Sequence, residues 1–366
     1  MKITNLESLS LELPIIQPIK MANAVIQKAD ILLIRIFTDE GLMGIGECAV
    51  APYFTGETKG GIRYALEKIV KPQLLGQDPF RITYLASRIE AVLLGNHSVK
   101  AAVDIALYDL VGKALNVPIY QLIGGKTREK IPATWHVAHW DPARDREEAE
   151  AGLSKGFGIF KLKVGNPNFR TDVACTEIVR KTIGDRDLRL DANQGWNRAE
   201  AVIRIQEVAA FGLTFFEQPI KWWDVEGMAE IAAQVDVPIV ADEGVFTAED
   251  AYRYIRAGAT EIINVKLLKA GGISGALKLA HVAEAANIPL HTSGKIAESS
   301  ISTAAAAHLG VALRELTYGG SPTSHYLKDD VATEPLQAKD GWLAPPEKPG
   351  LGVALDEDKI RFYTSP

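Results

Sequence analysis

The chain has 366 residues, of which 47% are hydrophobic and 23% are charged, and its formal net charge is −6 at pH 7. This composition is typical of a globular enzyme with one large and one smaller domain, and the absence of a basic excess argues against a nucleic-acid partner. Only Cys48 and Cys175 are present, which argues against a disulfide framework and favours a reducing compartment. The sequence shows neither a signal-peptide pattern nor an apolar run of about 18 residues, so we expect a cytoplasmic protein without a membrane partner.

The first 125 residues carry strand patterns followed by helix patterns. Period-two alternation and β-branched runs predict strands in residues 3–14, 29–41 and 42–48. Apolar residues at three- and four-residue spacing predict helices in residues 61–76, 79–95 and 99–116. Strands first and helices second predict a separate α+β domain over residues 1–125.

From residue 126 onward, strand patterns alternate with helix patterns. Eight short apolar runs are candidate strands: 131–137, 159–164, 188–193, 213–219, 238–243, 261–267, 288–293 and 313–319. One helix for each strand predicts a parallel sheet, and eight units predict closure into a barrel over residues 126–320. An open doubly wound sheet is the alternative, but no G-x-G-x-x-G follows a strand. The Pro- and Gly-rich tail, 321–366, is predicted to return to the first domain.

Five polar residues recur at nearly constant spacing: Lys163, Asp191, Glu217, Asp242 and Lys266. Their intervals are 28, 26, 25 and 24 residues, and each residue stands at or near the end of an apolar run. A strand and its return helix in a barrel of eight units take about 25 residues, and the carboxyl ends of the strands form the active-site face. The spacing therefore predicts three neighbouring carboxylates with a lysine on either side.

Three carboxylates on adjacent strand ends are suited to a hard cation. Mg²⁺ prefers oxygen ligands, and Mn²⁺ is the alternative, whereas zinc would favour His or Cys. The competing interpretation is that each acid merely stabilises the amino end of the following helix. Three acids in consecutive units, flanked by lysines, favour the metal site.

The lysines indicate proton transfer. Lys161 and Lys163 are two residues apart in a predicted strand, so both side chains point to one face. Two ammonium groups in one cavity lower the pKa of at least one, which makes a neutral lysine base feasible. Exposed lysines at the barrel rim are the alternative. Lys266, further round the barrel, can reach the other side of a ligand.

These features predict a reaction at the carbon next to a carboxylate. The substrate carboxylate would chelate Mg²⁺, which stabilises the enediolate formed when a lysine removes the α-proton. Two bases on two faces permit racemisation or epimerisation, whereas one acid–base group suffices for cycloisomerisation or elimination.

The motifs resemble those of the enolase superfamily, specifically its muconate-lactonizing-enzyme subgroup. The resemblance rests on Lys-X-Lys (Lys161, Lys163), Asp-X-Asn (Asp191, Asn193), Glu-Gln-Pro (Glu217), Asp-Glu (Asp242, Glu243) and the lysine of NVKLLKAGGI (Lys266). It extends over nearly the whole chain, including GLMGIGE, AAVDIALYDLVGK and PGLGVALDED. The implied fold is a modified TIM barrel, (β/α)7β, whose last strand lacks a regular helix, with an N-terminal α+β capping domain completed by the C-terminal tail.

The resemblance also implies roles for individual residues. Asp191, Glu217 and Asp242 become the metal ligands, and Lys163 and Lys266 the acid–base pair, with Lys161 supporting Lys163. Asn193 and Glu243 become candidates for contacts with the substrate or with the ligating carboxylates. No His-Asp pair replaces Lys266, which argues against the mandelate racemase subgroup.

Substrate specificity in the resembled family comes from two capping loops, here expected at Gln17–Gln27 and Val50–Thr58. Lys20 is a candidate partner for a second substrate carboxylate and Tyr53 a candidate substrate contact; a surface lysine and a loop anchor are the alternatives. Glu298 stands where the family places a glutamate near the substrate carboxylate. No role follows for the remaining polar candidates, which are His136, His139, His291 and Lys295.

The sequence thus predicts a Mg²⁺-dependent isomerase of a small-molecule carboxylate. A muconate-type cycloisomerase ranks first, followed by a racemase or epimerase of N-substituted amino acids, dipeptides or proline derivatives, and then by an acid dehydratase. The Asp-X-Asp that dipeptide epimerases place after the last strand is absent after Tyr318. A carboxylate-binding barrel without turnover is the non-enzymatic alternative. By family analogy we expect a homo-oligomer, either a dimer or an octamer.

Overall fold

The computed structural model describes residues 1–22 and 24–364 as an antiparallel sheet with helices, the cap, packed against a parallel barrel. The cap strands are β1 (Ile3–Met21), β2 (Ala24–Thr38) and β3 (Met43–Ala49), paired in that order. The prediction of a loop at Gln17–Gln27 is wrong, because this segment is the end of the β1–β2 hairpin. Strand pairing continues almost to the turn, with Lys20 opposite Val25. Asn23, within that loop, lies outside the described residues.

The cap helices cover one face of this sheet. They are α1 (Lys59–Tyr64), α2 (Lys71–Leu74), α3 (Ile82–Val92), α4 (His97–Leu115) and α5 (Ile119–Leu122). The predicted helix 61–76 is divided, because a π-helical segment, Ala65–Val70, separates α1 from α2. Gly44 and Gly46 of β3 allow α4 to lie directly on the sheet, since a Cβ at either position would meet backbone atoms of α4 within 2.1 Å.

Eight parallel strands form the barrel. They are β5 (Thr134–Val137), β6 (Ile159–Lys163), β7 (Asp187–Asp191), β8 (Phe215–Glu217), β9 (Ile239–Ala241), β10 (Ile262–Val265), β11 (Leu290–Ser293) and β12 (Gly320–Ser321). Neighbours in space follow the order in the chain, and a bridge between Ala133 and Gly320 joins the last strand to the first. The predicted modified TIM barrel with an N-terminal cap is confirmed.

Helices surround the barrel strands. They are α6 (Pro142–Ser154), α7 (Phe169–Ile183), α8 (Arg198–Ala209), α9 (Val225–Ala232), α10 (Ala248–Arg256), α11 (Leu267–Ala270), α12 (Ile273–Ala285) and α13 (Ser300–Ala312). Most of them begin at a polar side chain that accepts a first-turn N–H, as at Asp141, Asn168, Asn197, Asp224, Thr247 and Ser299. Among the helices of residues 1–22 and 24–364, none combines the length and apolar content required to cross a bilayer.

Two predicted strands differ from the observed ones. Residues 313–319 form turns, and the last strand is Gly320–Ser321, followed only by a 3₁₀ turn, Ser324–Tyr326. Leu313 and Leu316 are buried, so their apolar pattern reports packing rather than extended structure. The predicted strand 131–137 is divided between β5 and a short strand β4 (Ile131–Pro132), which pairs with β13 (Trp342–Leu343) outside the barrel.

The C-terminal tail contacts the cap sheet. Leu327 bridges to Ile15, and Thr364, just after α14 (Glu357–Tyr363), bridges to Leu11. The Arg35 guanidinium lies 2.8 Å from the Glu357 carboxylate. These contacts agree with a returning tail, while the domain boundaries at residues 125 and 320 stay a prediction.

Candidate active site

Register and alternation bring the predicted site residues together at the carboxyl ends of the barrel strands. Lys163 pairs with Asp191 across β6 and β7, and Asp191 pairs with Glu217 across β7 and β8. Asp242 and Lys266 directly follow β9 and β10. Apolar residues such as Phe215 fill the barrel interior below, two positions before Glu217 on the same face of β8.

Each of the three carboxylates lies against a lysine. Lys163 Nζ is 2.5 Å from Asp191 Oδ2, and Lys161 Nζ is 2.7 Å from Glu217 Oε2. Lys266 Nζ donates to Asp242 Oδ2. All three acids are buried, so their charges are balanced by lysines rather than by water.

The lysine charges act differently on the three acids. Burial opposes ionisation everywhere, but Lys161, Lys266 and Lys163 together hold the pKa of Glu217 below its ordinary value. Burial is likewise outweighed at Asp242, whose pKa is lowered by Lys266 and Lys269. At Asp191 burial prevails over Lys163, and its pKa is raised.

The pKa values of Lys161 and Lys266 are shifted in opposite directions. Burial lowers the pKa of Lys161, and the charge of Lys163 adds to this effect. At Lys266 burial is outweighed by the charges of Asp242, Glu217 and Glu243, which raise its pKa. Lys161 and Lys266 therefore differ in proton affinity.

The donor chemistry fits a hard divalent cation. The three acids offer buried oxygen donors, and Asp242 Oδ1 makes no hydrogen bond of normal geometry, although Lys269 Nζ lies 2.8 Å away. As the side chains lie, no three His, Cys, Asp or Glu residues of the described chain converge closely enough to hold an ion. A cation at this position would therefore displace lysine ammonium groups from the carboxylates.

A pocket opens above these residues, between the barrel and the cap. Seven predicted residues line it: Lys161, Lys163, Asp191, Asn193, Glu243, Lys266 and Tyr53. The cap also contributes Met21 and Phe54 to the lining, and Lys266 Nζ lies 4.7 Å from the centre of the Phe54 ring. Glu217 and Asp242 are not part of the lining. They lie beneath it, in contact with the lining residues Lys161 and Lys266.

Asn193 links the two sides of the carboxylate cluster. Its Oδ1 accepts from Lys163 Nζ at 2.9 Å, and its Nδ2 donates to Glu243 Oε1 at 3.2 Å. Burial, together with the charges of Asp242 and Asp191, raises the pKa of Glu243 to about 8. Burial and these two charges thus favour the neutral form of Glu243.

Two predicted contacts lie outside the pocket lining. Glu298 is buried beside the pocket and lines an adjacent smaller cavity with Gly294 and Thr323. Lys20 is exposed, because alternation along β1 turns Ile19 and Met21 inward and Lys20 outward. The structure does not bring Lys20 to this pocket.

Of the three histidines for which the sequence predicted no role, one lines the pocket and two pack outside it. His136 lines the pocket, and burial together with the charges of Lys161 and Lys163 holds its pKa well below the ordinary value. His291 is buried below, with Nε2 3.1 Å from Ser321 Oγ. His139 lies 3.3 Å from the Glu148 carboxylate.

Sequence reasoning missed a polar network under the pocket. Asn264 donates to Glu217 Oε1 at 2.7 Å and accepts from Ser293 Oγ at 2.7 Å. Asn264 stands two residues before Lys266, so strand alternation was a usable signal. Lys269 donates to the Asp242 and Asn264 carbonyls at 2.6 and 2.8 Å, and no local pattern indicated its role.

The cap is fastened to the barrel beside the pocket by Glu47. The Glu47 carboxylate accepts from the Ser299 backbone N–H at 3.1 Å and from the Ser299 hydroxyl. Burial raises the pKa of Glu47 to about 7.

Glu47→Gln is expected to flatten the pH dependence of stability between about pH 4.5 and 7. A raised carboxyl pKa contributes stability below its unfolded value, and this stability is lost as pH rises through the folded value. The variant keeps the acceptor for Ser299 and should gain up to about 3 kcal/mol relative to wild type between pH 4.5 and 8. Denaturant unfolding at pH 4.5 and pH 8 measures the free energy of unfolding of each variant, with exposed Glu67→Gln as the control. If the free energies of Glu47→Gln and wild type changed with pH in parallel, the prediction would be contradicted.

Comparisons with known proteins agree with the fold. Residues 6–124 match the family described as mandelate racemase / muconate lactonizing enzyme, N-terminal domain, and residues 144–359 match the enolase C-terminal domain-like family. Both halves of the architecture, cap and barrel, are therefore those of one enzyme superfamily.

Individual relatives align over nearly the full chain. The L-Ala-D/L-Glu epimerase of Bacillus subtilis (strain 168) is 36% identical over 356 residues, covering 96% of this chain and 97% of that protein. The N-succinyl-L-Arg/Lys racemase of Bacillus cereus is 33% identical over 366 residues, covering 100% of this chain and 98% of that protein. The structure of muconate lactonizing enzyme from Pseudomonas fluorescens, complexed with muconolactone, superposes with a TM-score of 0.95 at 32% identity. The superposition covers 100% of this chain and 99% of that structure.

The chain belongs to the muconate-lactonizing-enzyme subgroup of the enolase superfamily, as the sequence predicted. It is an isomerase of that superfamily, and this prediction is also confirmed at the level of the family.

Proposed function

We propose that this enzyme racemises or epimerises a carboxylic acid by moving the proton on the carbon next to the carboxylate. The observation that carries the proposal is the placement of Lys163 and Lys266. Lys163 ends β6 and Lys266 follows β10, four strands apart in a closed barrel of eight, so the two face one pocket from opposite sides. A substrate between them presents one face of its α-carbon to each lysine.

In this proposal each lysine serves one face. Lys163, held by Asp191 and Asn193, takes the proton from one face, while protonated Lys266 delivers a proton to the other; the reverse reaction exchanges their roles. Asp191, Glu217 and Asp242 would hold Mg²⁺ or Mn²⁺. When bound, the ion supplies positive charge that stabilises negative charge developing on the substrate carboxylate.

The loop after β12 favours an N-substituted amino acid over a dipeptide with a free ammonium group. Ser321 and Thr323 bond internally, to His291 and to the Lys295 carbonyl. No carboxylate occurs between Ser321 and Leu327 to receive an ammonium group.

A muconate-type cycloisomerase is the second candidate. Its support is the high structural similarity to the muconolactone complex, and its chemistry needs only one of the two lysines. The small-molecule carboxylate, the homo-oligomer and the dehydratase alternative stay predictions.

The test is a proton NMR assay in D₂O with Mg²⁺, on a panel of N-succinyl and N-acyl amino acids, dipeptides, proline derivatives and cis,cis-muconate. Loss of the α-proton signal together with loss of optical activity would support the racemase or epimerase. Lactone formation from muconate would support the second candidate. If no compound of the panel reacted, the result would count against both the racemase or epimerase and the cycloisomerase.

Glu217→Gln tests the proposed ligand set. We expect Mg²⁺ affinity, measured by calorimetry, to fall at least about tenfold, since even residues that only orient a metal ligand contribute this much. Glu207→Gln, on the surface of α8, is the matched control. Unchanged affinity in Glu217→Gln would remove this residue from the ligand set.

A further inference from the structure

The segment Ser293–Ile296, which begins at the last residue of β11, lines the pocket and includes a largely buried lysine. Lys295 is only 6% exposed, yet its ammonium group makes no hydrogen bond or ion pair with any residue that the structure describes. The other buried lysines of the barrel, Lys161, Lys163, Lys266 and Lys269, each lie against a carboxylate. An ammonium group that opens into a largely buried pocket without a carboxylate beside it is suited to an anionic ligand.

The backbone of this segment is fixed from two sides. Thr323 Oγ1 donates to the Lys295 carbonyl at 2.6 Å and accepts from the Glu298 N–H at 3.3 Å. Glu47 of the cap accepts from Ser299, four residues further on. The backbone of Lys295 is therefore held at the pocket wall.

Among the described residues, no acid forms an ion pair with Lys295, although Glu298 and Glu47 act on its charge from a greater distance. Burial, with the charge of Glu47, raises the pKa of Glu298 to about 8, which favours its neutral form. Burial raises the pKa of Glu47 to about 7, and its hydrogen bonds go to Ser299. Burial lowers the pKa of Lys295 itself, which an anion placed beside it would reverse.

We propose that Lys295 binds a second carboxylate of the substrate, so that the substrate is a dicarboxylate. The inference rests on the proposed function, in which the first carboxylate lies beside the α-carbon between Lys163 and Lys266. Lys295 takes the role that the sequence offered to Lys20, whose side chain is exposed outside the pocket.

The experiment measures calorimetric dissociation constants for matched ligand pairs in Mg²⁺-containing buffer. One pair is N-succinyl-L-alanine and N-butanoyl-L-alanine, which share the chain length but differ by a carboxylate. The other is cis,cis-muconate and its monomethyl ester. Wild type should bind the dicarboxylate of at least one pair about tenfold or more tightly than its partner, as expected of a charge-assisted contact.

Three variants locate the contact. Lys295→Met should bring the ratio of dissociation constants close to one, and Lys295→Arg should restore most of the preference. Lys20→Met should leave the ratio as in wild type. Removing an unpaired buried charge should also leave the melting temperature of ligand-free Lys295→Met equal to or above that of wild type.

Several results would overturn the inference. These are a wild type without preference for dicarboxylates, a preserved ratio in Lys295→Met, a ratio lost in Lys20→Met, or a lowered melting temperature in Lys295→Met, which would reveal a partner within the protein. Failure of the proposed function is distinguishable, because it would remove α-proton exchange in D₂O while the Lys295-dependent binding preference persisted.

Discussion

Lys163→Ala is expected to abolish interconversion of the two substrate configurations while leaving Mg²⁺ binding intact. Loss of a positioned acid–base group costs about 10²–10⁴-fold in rate. Because Lys266 faces the pocket from the opposite side, the variant should still exchange the α-proton of one enantiomer with D₂O. The measurements are exchange for each enantiomer separately, and calorimetry with Mg²⁺.

The control for this variant is Lys181→Ala, which removes an exposed lysine paired with Glu177 on α7. Full interconversion by Lys163→Ala would defeat the acid–base assignment. Loss of exchange for both enantiomers, with Mg²⁺ binding intact, would instead indicate that a single lysine performs the chemistry, as a cycloisomerase requires.

Lys269→Met is expected to destabilise the protein by about 3–5 kcal/mol, the typical cost of removing one partner of a buried charge pair. Lys269 is 1% exposed, and its ammonium group contacts the Asp242 carboxylate. It also donates to the backbone carbonyls of Asp242, after β9, and of Asn264, in β10. Methionine keeps much of the side-chain volume but leaves these oxygens without a donor.

Denaturant unfolding with and without Mg²⁺ measures this loss, and Lys278→Met, exposed on α12, is the control. Mg²⁺ should restore part of the lost stability, because a cation bound by Asp242 replaces the missing positive charge. An unfolding midpoint equal to that of wild type would show that Lys269 is not a structural cation.

The barrel and its polar rim were predictable because their signals are periodic. Strand and helix alternate at nearly constant length, so Asp191, Glu217 and Asp242 fall at equivalent positions, and parallel register brings them together. The same reasoning misplaced the last strand, since Leu313 and Leu316 are buried in turns and their pattern does not distinguish a turn from a strand.

The surroundings of Lys295 were not predictable, because they depend on contacts between distant parts of the chain. Glu47 and Ser299 are 252 residues apart, and Thr323 reaches back 28 residues to the Lys295 carbonyl. Nothing in the local sequence indicates that a lysine after β11 is buried, faces a pocket and forms no ion pair with the described residues. Local periodicity identifies the elements, whereas the pairing of charges depends on tertiary packing.

The pairing of the first strand with the last residues has a consequence for biosynthesis. Leu11 and Ile15 bridge to Thr364 and Leu327, so these pairings form only after the barrel strands between them have been synthesised. The β1–β2 hairpin, which carries Met21 to the pocket, therefore exists during translation with part of its final contacts missing. The barrel strands are therefore synthesised before the cap sheet that covers the pocket can complete its pairing.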